Sequence, residues 1–593
     1  MIILGIHDGH NSGASLFKNG KLLGAVSEEK ISRKKNEYGF PKKSITFLLR
    51  KNNLTKTKID KIAVSTKFLP PKYYLVKRNT NFTLQDYIKE QNEFWFKKIY
   101  KKEKVKYLKV FKKKLVDKSK LFYDFSKIND ENDVNGMQRA RKEFYSKYFS
   151  LDSKNISFFD HHECHAYYGY YGKGITNKKL CVVTLDGGGD NTNATIWISK
   201  GKTLKNIYKS NIGNLGRIYR YITLILGMKP TEHEFKVMGL AGYALEKSSY
   251  YEKSLRVFRE TLTVSGIKFK YKKNIKDHYF YFKKKLSGER FDTISYSVQK
   301  FLEEILVKWF SNISKKYNVK DFIFSGGVAQ NVKATKKILE SKRINSIYVP
   351  PGPGDESLCI GAVYCYLAKS KETRRNLKIT NMQNPYVGIS FNENEINILK
   401  RNKKINITKT SKKKIARIIS QGNPVARFSF QPNEFGPRAL GNRSILADPR
   451  KQDTINTINK KIKVRDFWMP FAPSIISEDA KKIMHVIKNH NNPYMTISFD
   501  VKKNFVDKIP AAVHPFDKTC RPQFVSKVNN LEYYQLIKEF KKITGIGVLL
   551  NTSFNLHGEP IVFQPKDAVK SFLKSGLQYM YMDNYLITKV NNK

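Results

Sequence analysis

CVVTLDGGGDNTNATIWISKGKTLKNIY, residues 181–208 of a 593-residue chain, decides the fold. An apolar run from Cys181 to Leu185 stops at Asp186-Gly187, and a turn of small residues leads into a second strand. The pair Gly201-Lys202 then turns the chain into a third strand. Runs rich in β-branched and aromatic residues, bounded by Gly, Asn and Asp, read as hairpins. The opening of the chain, ILGIHDGHNSGASLFKNGKLLGAVSEE (Ile3–Glu29), repeats the design: a strand to Asp8-Gly9, a small turn, a strand, Gly20-Lys21 and a third strand. Two copies of one hairpin unit predict two similar lobes with a cleft between them. Asp-Gly turns at such a cleft suit phosphates and metal ions, because glycine lets backbone N–H groups approach closely.

A third element belongs to the same domain. Asp321 to Phe324 reads as a buried strand, followed by Ser325-Gly326-Gly327 and a helix from about Ala329 to Ser341. Strand, glycine pair and helix start form a phosphate or nucleotide cradle. A further glycine-rich turn, Pro350 to Glu356, precedes an apolar helix over Ser357 to Ala368. The fold class is therefore α/β. A shift in composition over Lys369 to Asn384 marks a boundary, giving domains 1–375 and 376–593. Two segments look like insertions in the first domain, about 66–150 and 245–290; Lys101 to Lys120 alone holds ten lysines. In the second insertion Phe269, Tyr271, Tyr279, Phe280, Tyr281 and Phe282 interleave with lysines. Two readings stand for these stretches. One is a strand-binding surface, with charge for phosphates and rings for bases. The other is a solvated charged face over a small aromatic core.

Composition narrows the class. Hydrophobic residues are 40% and aromatics 13% of the chain, enough for packed cores and too much for a disordered protein. The longest apolar runs, such as Leu358 to Leu367, are too short to span a bilayer, so no membrane partner is expected. Met1-Ile2-Ile3-Leu4 opens without a basic stretch or cleavage site, and five scattered cysteines make no C-x-x-C pair. A soluble protein of a reducing compartment follows, the cytoplasm of a bacterium or of a virus-infected bacterial cell. Lys+Arg is 110 against Asp+Glu 51, a net charge of +59. AT-rich codon usage accounts for part of the lysine, and a field of this size favours polyanionic partners.

Residue types and spacing indicate where chemistry lies. In Asp160-His161-His162-Glu163-Cys164-His165, a helix start, His161 and His165 stand i, i+4 and project from one face. Asp186 and Asp355 sit in glycine turns at strand ends and supply oxygen, so imidazole and carboxylate together suit Zn or Fe(II). In the second domain Arg438, Arg443 and Arg450 lie in a turn-rich stretch, followed by Lys461, Lys463 and Arg465, then His514, Lys518 and Arg521. Asn551, Ser553 and Asn555 occupy a turn between strands. Guanidinium forks grip phosphate oxygens in pairs. Acids are too few nearby to neutralise all these cations, which favours a pocket for ATP and a second phosphate compound over surface ion pairing.

At these residues the chain resembles the NodU/CmcH family of O-carbamoyltransferases. The matching strings are GHNSGASL, HHECHA, LDGGGD, EFKVMGLAGY, SGGVAQN, PPGPGDES, EFGPRALGNRSILADPR, MPFAPSI and LLNTSFNLHGEPIV, in family order. The resemblance implies a duplicated actin-like ATPase domain of the kind that moves threonylcarbamoyl to tRNA, followed by a YrdC-like α/β domain. It implies that the second domain converts carbamoyl phosphate and ATP, with Mg, to carbamoyl-adenylate. An acceptor hydroxyl then attacks that adenylate in the first domain. Carried onto this chain, the metal, iron or another divalent ion, falls to His161, His165, Asp186 and Asp355. Adenylate contacts fall to Lys236, Gly326, Gly327 and Asn331, with Glu234 also serving the nucleotide. Carbamoyl phosphate and ATP fall to Arg438, Arg443, Lys463, Arg465, Arg521, Asn551 and Ser553.

The attacking alcohol needs a base, and His10 is the candidate. Two departures from the family pattern stand out: His10-Asn11 where the family has His-Asp, and His233-Glu234 where it has Gly-Glu. The charge and the basic insertions point to a nucleic-acid acceptor, such as 5-hydroxymethylcytosine in DNA, flipped out of the duplex to react. A small-molecule, antibiotic or oligosaccharide hydroxyl is the alternative, and a non-catalytic nucleic-acid-binding relative is a third. The assembly state stays open, a homodimer being one candidate.

Overall fold

The computed structural model describes residues 1–176, 178–244, 249–370 and 384–590. The chain forms two compact units, Met1–Gln383 and Asn384–Lys593. The boundary expected at residue 375 lies outside the described residues, as does the stretch 245–248 of the second insertion.

The first unit carries two five-stranded sheets. In one, β1 (Ile2–His7), β2 (Gly13–Lys18), β3 (Lys21–Ser27), β4 (Lys61–Ser65) and β5 (Ile156–Phe159) lie in the order β3-β2-β1-β4-β5. The other uses β6 (Cys181–Gly189), β7 (Thr192–Lys200) and β8 (Thr203–Ser210). After a separate hairpin of β9 (Leu262–Ser265) and β10 (Lys268–Tyr271), β11 (Asp321–Ser325) and β12 (Ser346–Tyr348) complete it as β12-β11-β6-β7-β8. Each sheet is thus an antiparallel three-strand meander whose first strand also pairs in parallel with the fourth, and the fourth with the fifth. This repeated order is the duplicated actin-like topology. Both meanders turn on two residues, since Lys18 faces Lys21 and Lys200 faces Thr203. The first turn is Asn19-Gly20, one residue earlier than the Gly20-Lys21 expected. Asn19 and Gly20 both have positive φ, 50° and 79°, as a tight hairpin of this twist demands.

Helices His161–Lys173 and Leu358–Lys369 pack against each other so closely that a Cβ on Gly361 would stand 2.2 Å from the Cys164 carbonyl oxygen. No other residue type fits there. The helix expected from about Ala329 begins later, at Val332, after a 3-10 turn over Gly327–Gln330. The reason is local: Asn331 is the N-cap, its side chain accepting from Ala334 N at 3.0 Å.

The two basic insertions build an aromatic core of their own. Val76, Phe82, Tyr87, Phe94, Tyr107 and Phe111 from the first pack with Leu224 and with Tyr279 from the second. Phe269 and Phe282 are also buried, while Tyr271 is exposed. Phe96, Tyr100 and Phe122 of the first insertion are exposed as well, so part of the aromatic set forms a core and part stays at a lysine-rich surface. Among the described residues no helix is long and apolar enough to cross a membrane.

The second unit is built on an eight-stranded mixed sheet. Its strands are β13 (Ile405–Lys409), β14 (Val425–Phe428), β15 (Arg443–Ala447), β16 (Ala472–Ile476), β19 (Gln523–Val525), β20 (Val548–Ser553), β21 (Tyr579–Met582) and β22 (Tyr585–Lys589). They run in the order β13-β22-β21-β14-β15-β20-β16-β19, with β17 (Phe499–Asp500) and β18 (Thr519–Cys520) pairing apart. Side chains alternate between the faces, and each face is covered. Ile415, Ile419, Ile537 and Phe540 from helices close one side over Leu446 and Leu549; Ala568 and Phe572 close the other over Ile445 and Leu550.

Candidate active site

Chain direction brings four side chains of the first unit to one point. β5 ends at Phe159, and Asp160 caps the next helix by accepting from His162 N and Glu163 N. His161 and His165 follow on one face. Asp186 ends the apolar part of β6, and Asp355 opens the turn after β12. One donor atom from each of His161, His165, Asp186 and Asp355 lies within 4.8 Å of all the others. The two Nε2 atoms are 3.2 Å apart. Asp355 Oδ1 is 3.5 Å from His161 Nε2 and 3.6 Å from His165 Nε2, and Asp186 Oδ2 is 3.7 Å from His165 Nε2. Ligands about 2.1 Å from a small cation stand about 3.0 to 3.4 Å from one another for octahedral to tetrahedral angles, so this donor set fits one ion after small adjustment.

Electrostatics agree with that fit. Burial lowers His165 to about 4, so its imidazole is neutral and keeps a lone pair for a cation. Burial and the neighbouring Asp186 push Asp355 up to about 7, as expected of two carboxylates that share a buried site. Asp186 itself is held low: burial works against it, and the two imidazoles and the Gly327 N–H outweigh the burial. His162 and Glu163 turn elsewhere, as their places on the helix require. His162 bonds Thr184 Oγ1 at 2.7 Å and Glu163 pairs with Lys369 at 2.6 Å.

The glycine cradle closes onto the same point. Gly327 N donates to Asp186 Oδ2 at 2.5 Å, and a Cβ on Gly326, whose φ is +93°, would lie 2.4 Å from the Leu185 carbonyl oxygen. Asn331 is committed on both sides of its amide: its oxygen caps the helix, and its Nδ2 donates to Gln299 Oε1 at 2.8 Å. Glu234 accepts from Thr231 N at 2.7 Å, and burial raises its carboxyl. His233 Nδ1 accepts from Lys229 N at 3.1 Å, which gives this departure from the family pattern a turn-closing role. Lys236 lies two residues beyond Glu234 on the short helix Glu234–Leu240.

His10 stands in the first glycine turn, where its backbone bridges to Tyr38. His7 Nε2 bonds the His10 carbonyl oxygen at 2.8 Å and so fixes the turn. Burial, with Arg220 and Arg78 nearby, lowers His10 to about 4, leaving it neutral but a weaker base than an exposed histidine. Asp8 in the same turn is fully used: Arg141 grips it at 2.5 and 2.8 Å, and Tyr123 and Tyr145 hydroxyls each donate to it at 2.6 Å. Sequence reading missed Arg141. Its only sequence signal was an arginine on an apolar helix stripe inside a segment taken for an insertion.

The second unit gathers part of the cation set. Arg438, Arg465 and Arg521 lie near enough to repel one another. Burial lowers Arg465 to about 10, Arg438 adding to the effect, and burial with both neighbours lowers Arg521 further. No carboxylate of the described residues pairs with Arg521. Lys463 Nζ donates to Asn555 Oδ1 at 2.7 Å and Ser553 Oγ at 3.1 Å, and Arg465 reaches Thr552 Oγ1 at 3.4 Å. Asn551 is buried, with its Oδ1 lacking a partner.

Arg443 stands apart from this set. Ser444 faces Ser553 and Leu446 faces Asn551 across the β15–β20 ladder, so Arg443 points to the face opposite Asn551 and Ser553. There it stacks over Phe428 at 3.8 Å and donates to the Ser429 carbonyl oxygen at 2.6 Å. Arg450 is paired with Asp448 at 2.7 Å, a plain ion pair.

With this geometry described, comparison with known proteins gives the class. Residues 2–364 match the family Carbamoyltransferase N-terminus and residues 416–589 the family Carbamoyltransferase C-terminus. The chain belongs to the carbamoyltransferase family and is an enzyme of O-carbamoyl transfer. It is 35% identical to a protein of Methanocaldococcus jannaschii over 99% of this chain and 100% of that one. It is 28% identical to nodulation protein NolNO of Sinorhizobium fredii over 98% of this chain and 79% of that one. Among solved structures, the activator of the 2-hydroxyisocaproyl-CoA dehydratase from Clostridium difficile with bound ADPNP is similar over 64% of this chain and 98% of that one, at 13% identity and a TM-score of 0.30.

Proposed function

We propose that the second unit makes carbamoyl-adenylate from carbamoyl phosphate and ATP, and that the first unit transfers its carbamoyl group to an acceptor hydroxyl. The observation behind this reading is a division of labour. A His2Asp2 donor set lies wholly within the first unit, and three mutually repelling arginines, Arg438, Arg465 and Arg521, lie within the second. Arg438, Arg465 and Arg521 suit the phosphates of two anionic substrates, with Lys463 and the Asn551 oxygen orienting them. Atoms balance when one water enters and one phosphate and one pyrophosphate leave.

In the first unit the Gly326-Gly327 turn, which carries no side chain, lets the adenylate's phosphate approach the backbone closely, with Glu234 and Lys236 toward the nucleotide. The turn's own N–H groups are engaged by the Pro353 carbonyl oxygen and Asp186. A divalent ion such as Fe(II), held by His161, His165, Asp186 and Asp355, supplies Lewis-acid polarisation of the carbonyl or phosphoryl oxygen. His10, neutral at pH 7, takes the proton of the attacking hydroxyl, and AMP departs. The charge of +59 supports a polyanionic acceptor, for which DNA bearing 5-hydroxymethylcytosine is the one to offer first. Burial of part of the insertion rings leaves charge as the main support for that acceptor, with Phe96, Tyr100, Phe122 and Tyr271 still exposed for stacking.

The test separates the two half-reactions. His165→Ala should lose carbamoyl transfer yet keep carbamoyl-phosphate-dependent ATP–pyrophosphate exchange, and Arg438→Ala should lose both. Full transfer by His165→Ala would remove the metal from the mechanism. Mass spectrometry of hydroxymethylated DNA, unmodified DNA and sugar alcohols incubated together identifies the acceptor. A carbamoylated sugar with unchanged DNA would refute the nucleic-acid reading.

A further inference from the structure

Thr66 follows β4 with φ +61°, a left-handed backbone that a β-branched side chain rarely adopts. It is 2% exposed, and its Oγ1 lies 3.0 Å from His161 Nδ1. Because His161 presents Nε2 to Asp355 and His165, a proton on Nδ1 is the one compatible with binding a cation, and the Thr66 hydroxyl is its acceptor. His165 has no such support, for its Nδ1 is buried without a partner. His161 is therefore the imidazole whose ring and tautomer this chain fixes in advance.

Several bonds keep Thr66 where it is. Arg141 NH1 donates to the Thr66 carbonyl oxygen at 2.9 Å, and Arg141 NH2 reaches the Ser65 carbonyl oxygen at 3.3 Å. The next two backbone N–H groups, of Lys67 and Phe68, donate to Asp190 at 2.9 and 2.7 Å, and Asp190 also accepts from His161 N at 2.8 Å. Arg141 is at the same time the partner of Asp8. One guanidinium thus braces the turn that carries His10 and the residue that orients His161. We infer that Thr66 is a positioning residue for His161, held in its left-handed conformation by Arg141, and that the first basic insertion supplies this brace to the site.

The inference rests on the metal reading above and can be tested apart from activity. Full-length protein stripped by a chelator is titrated with Co(II), following visible absorption and calorimetric heat, for wild type, Thr66→Val and Thr66→Ser. The valine keeps the branched shape and loses the hydroxyl. Its Co(II) affinity should fall about 10-fold or more, with a changed absorption band, and the serine should restore affinity to within about 3-fold. Thermal melting of the metal-free proteins serves as the control for a purely structural role. Should Thr66→Val not fold, Thr66→Ala gives the same reading. Wild-type affinity and spectrum in the valine variant would overturn the inference, as would equal losses in valine and serine. Failure of the wild type itself to bind Co(II) would bring down the metal reading, and the inference with it.

Discussion

The same dipeptide, Asp-Gly, ends β1 and the apolar part of β6, and its two aspartates have different fates. Asp186 takes backbone N–H groups from Gly187 and Gly327 and faces two imidazoles. Asp8 is closed off by Arg141 and two tyrosines. The dipeptide was legible in the sequence. The partner was not, because Arg141 lies 133 residues away and nothing local marks it. Next to Asp8, His7 is 1% exposed and bonded to Ser65 Oγ at 2.8 Å, and burial lowers it to about 3. Its folded pKa lies below the unfolded value, so the unfolded chain takes up a proton near pH 6.5 that the folded chain refuses. Stability is then complete above pH 6.5 and falls as pH drops toward 3, by about 1.4 kcal/mol per pH unit for this residue. Urea titrations between pH 7 and 5 should show a slope of this sign, to which the likewise lowered His10, His162 and His165 add, and His7→Gln should reduce it by about one proton.

Elements were easier to read than their partners. The hairpin units, the histidine helix and the strand before Ser325-Gly326-Gly327 follow from periodicity and turn residues, and they stand where expected within a few positions. In the two basic insertions the sequence leaves two readings open for a physical reason. Lysines interleaved with rings look alike in sequence whether the rings face solvent or each other, and only tertiary packing decides. Phe82 is fully buried, stacked edge-on against Tyr87 at 4.8 Å and under the Arg78 guanidinium at 4.4 Å. Phe82→Ala should therefore cost about 3 to 5 kcal/mol of stability by urea unfolding. A ring kept for stacking on bases would instead leave stability nearly unchanged.

Over the whole molecule, charge and fold are separate layers. The cores are as apolar as any, and the excess of 59 positive charges sits largely on exposed lysines. If those lysines grip a polyanion, affinity for a fluorescent duplex should fall by about 10^3-fold or more between 50 and 200 mM salt, as for a protein touching six or more phosphates. A flat salt response in anisotropy titrations would assign the charge to codon usage. The arginine cluster of the second unit is visible as a set of residue types, whereas the direction in which Arg443 points is not. Arg443 opens β15, where register turns it to the face opposite Asn551 and Ser553, and register is not written in composition.

Arg141 has one more consequence, for anyone who would simplify the protein. Residues 66–150 resemble a removable ornament, rich in lysine and easy to delete in search of a smaller enzyme. Cutting them out would take away Arg141, Tyr123 and Tyr145, the three side chains that bond the Asp8 carboxylate. Losing Arg141 alone would leave that buried carboxylate without its counter-charge, a defect of about 3 to 5 kcal/mol. The segment is a keystone, and the shortest version of this enzyme has to keep it.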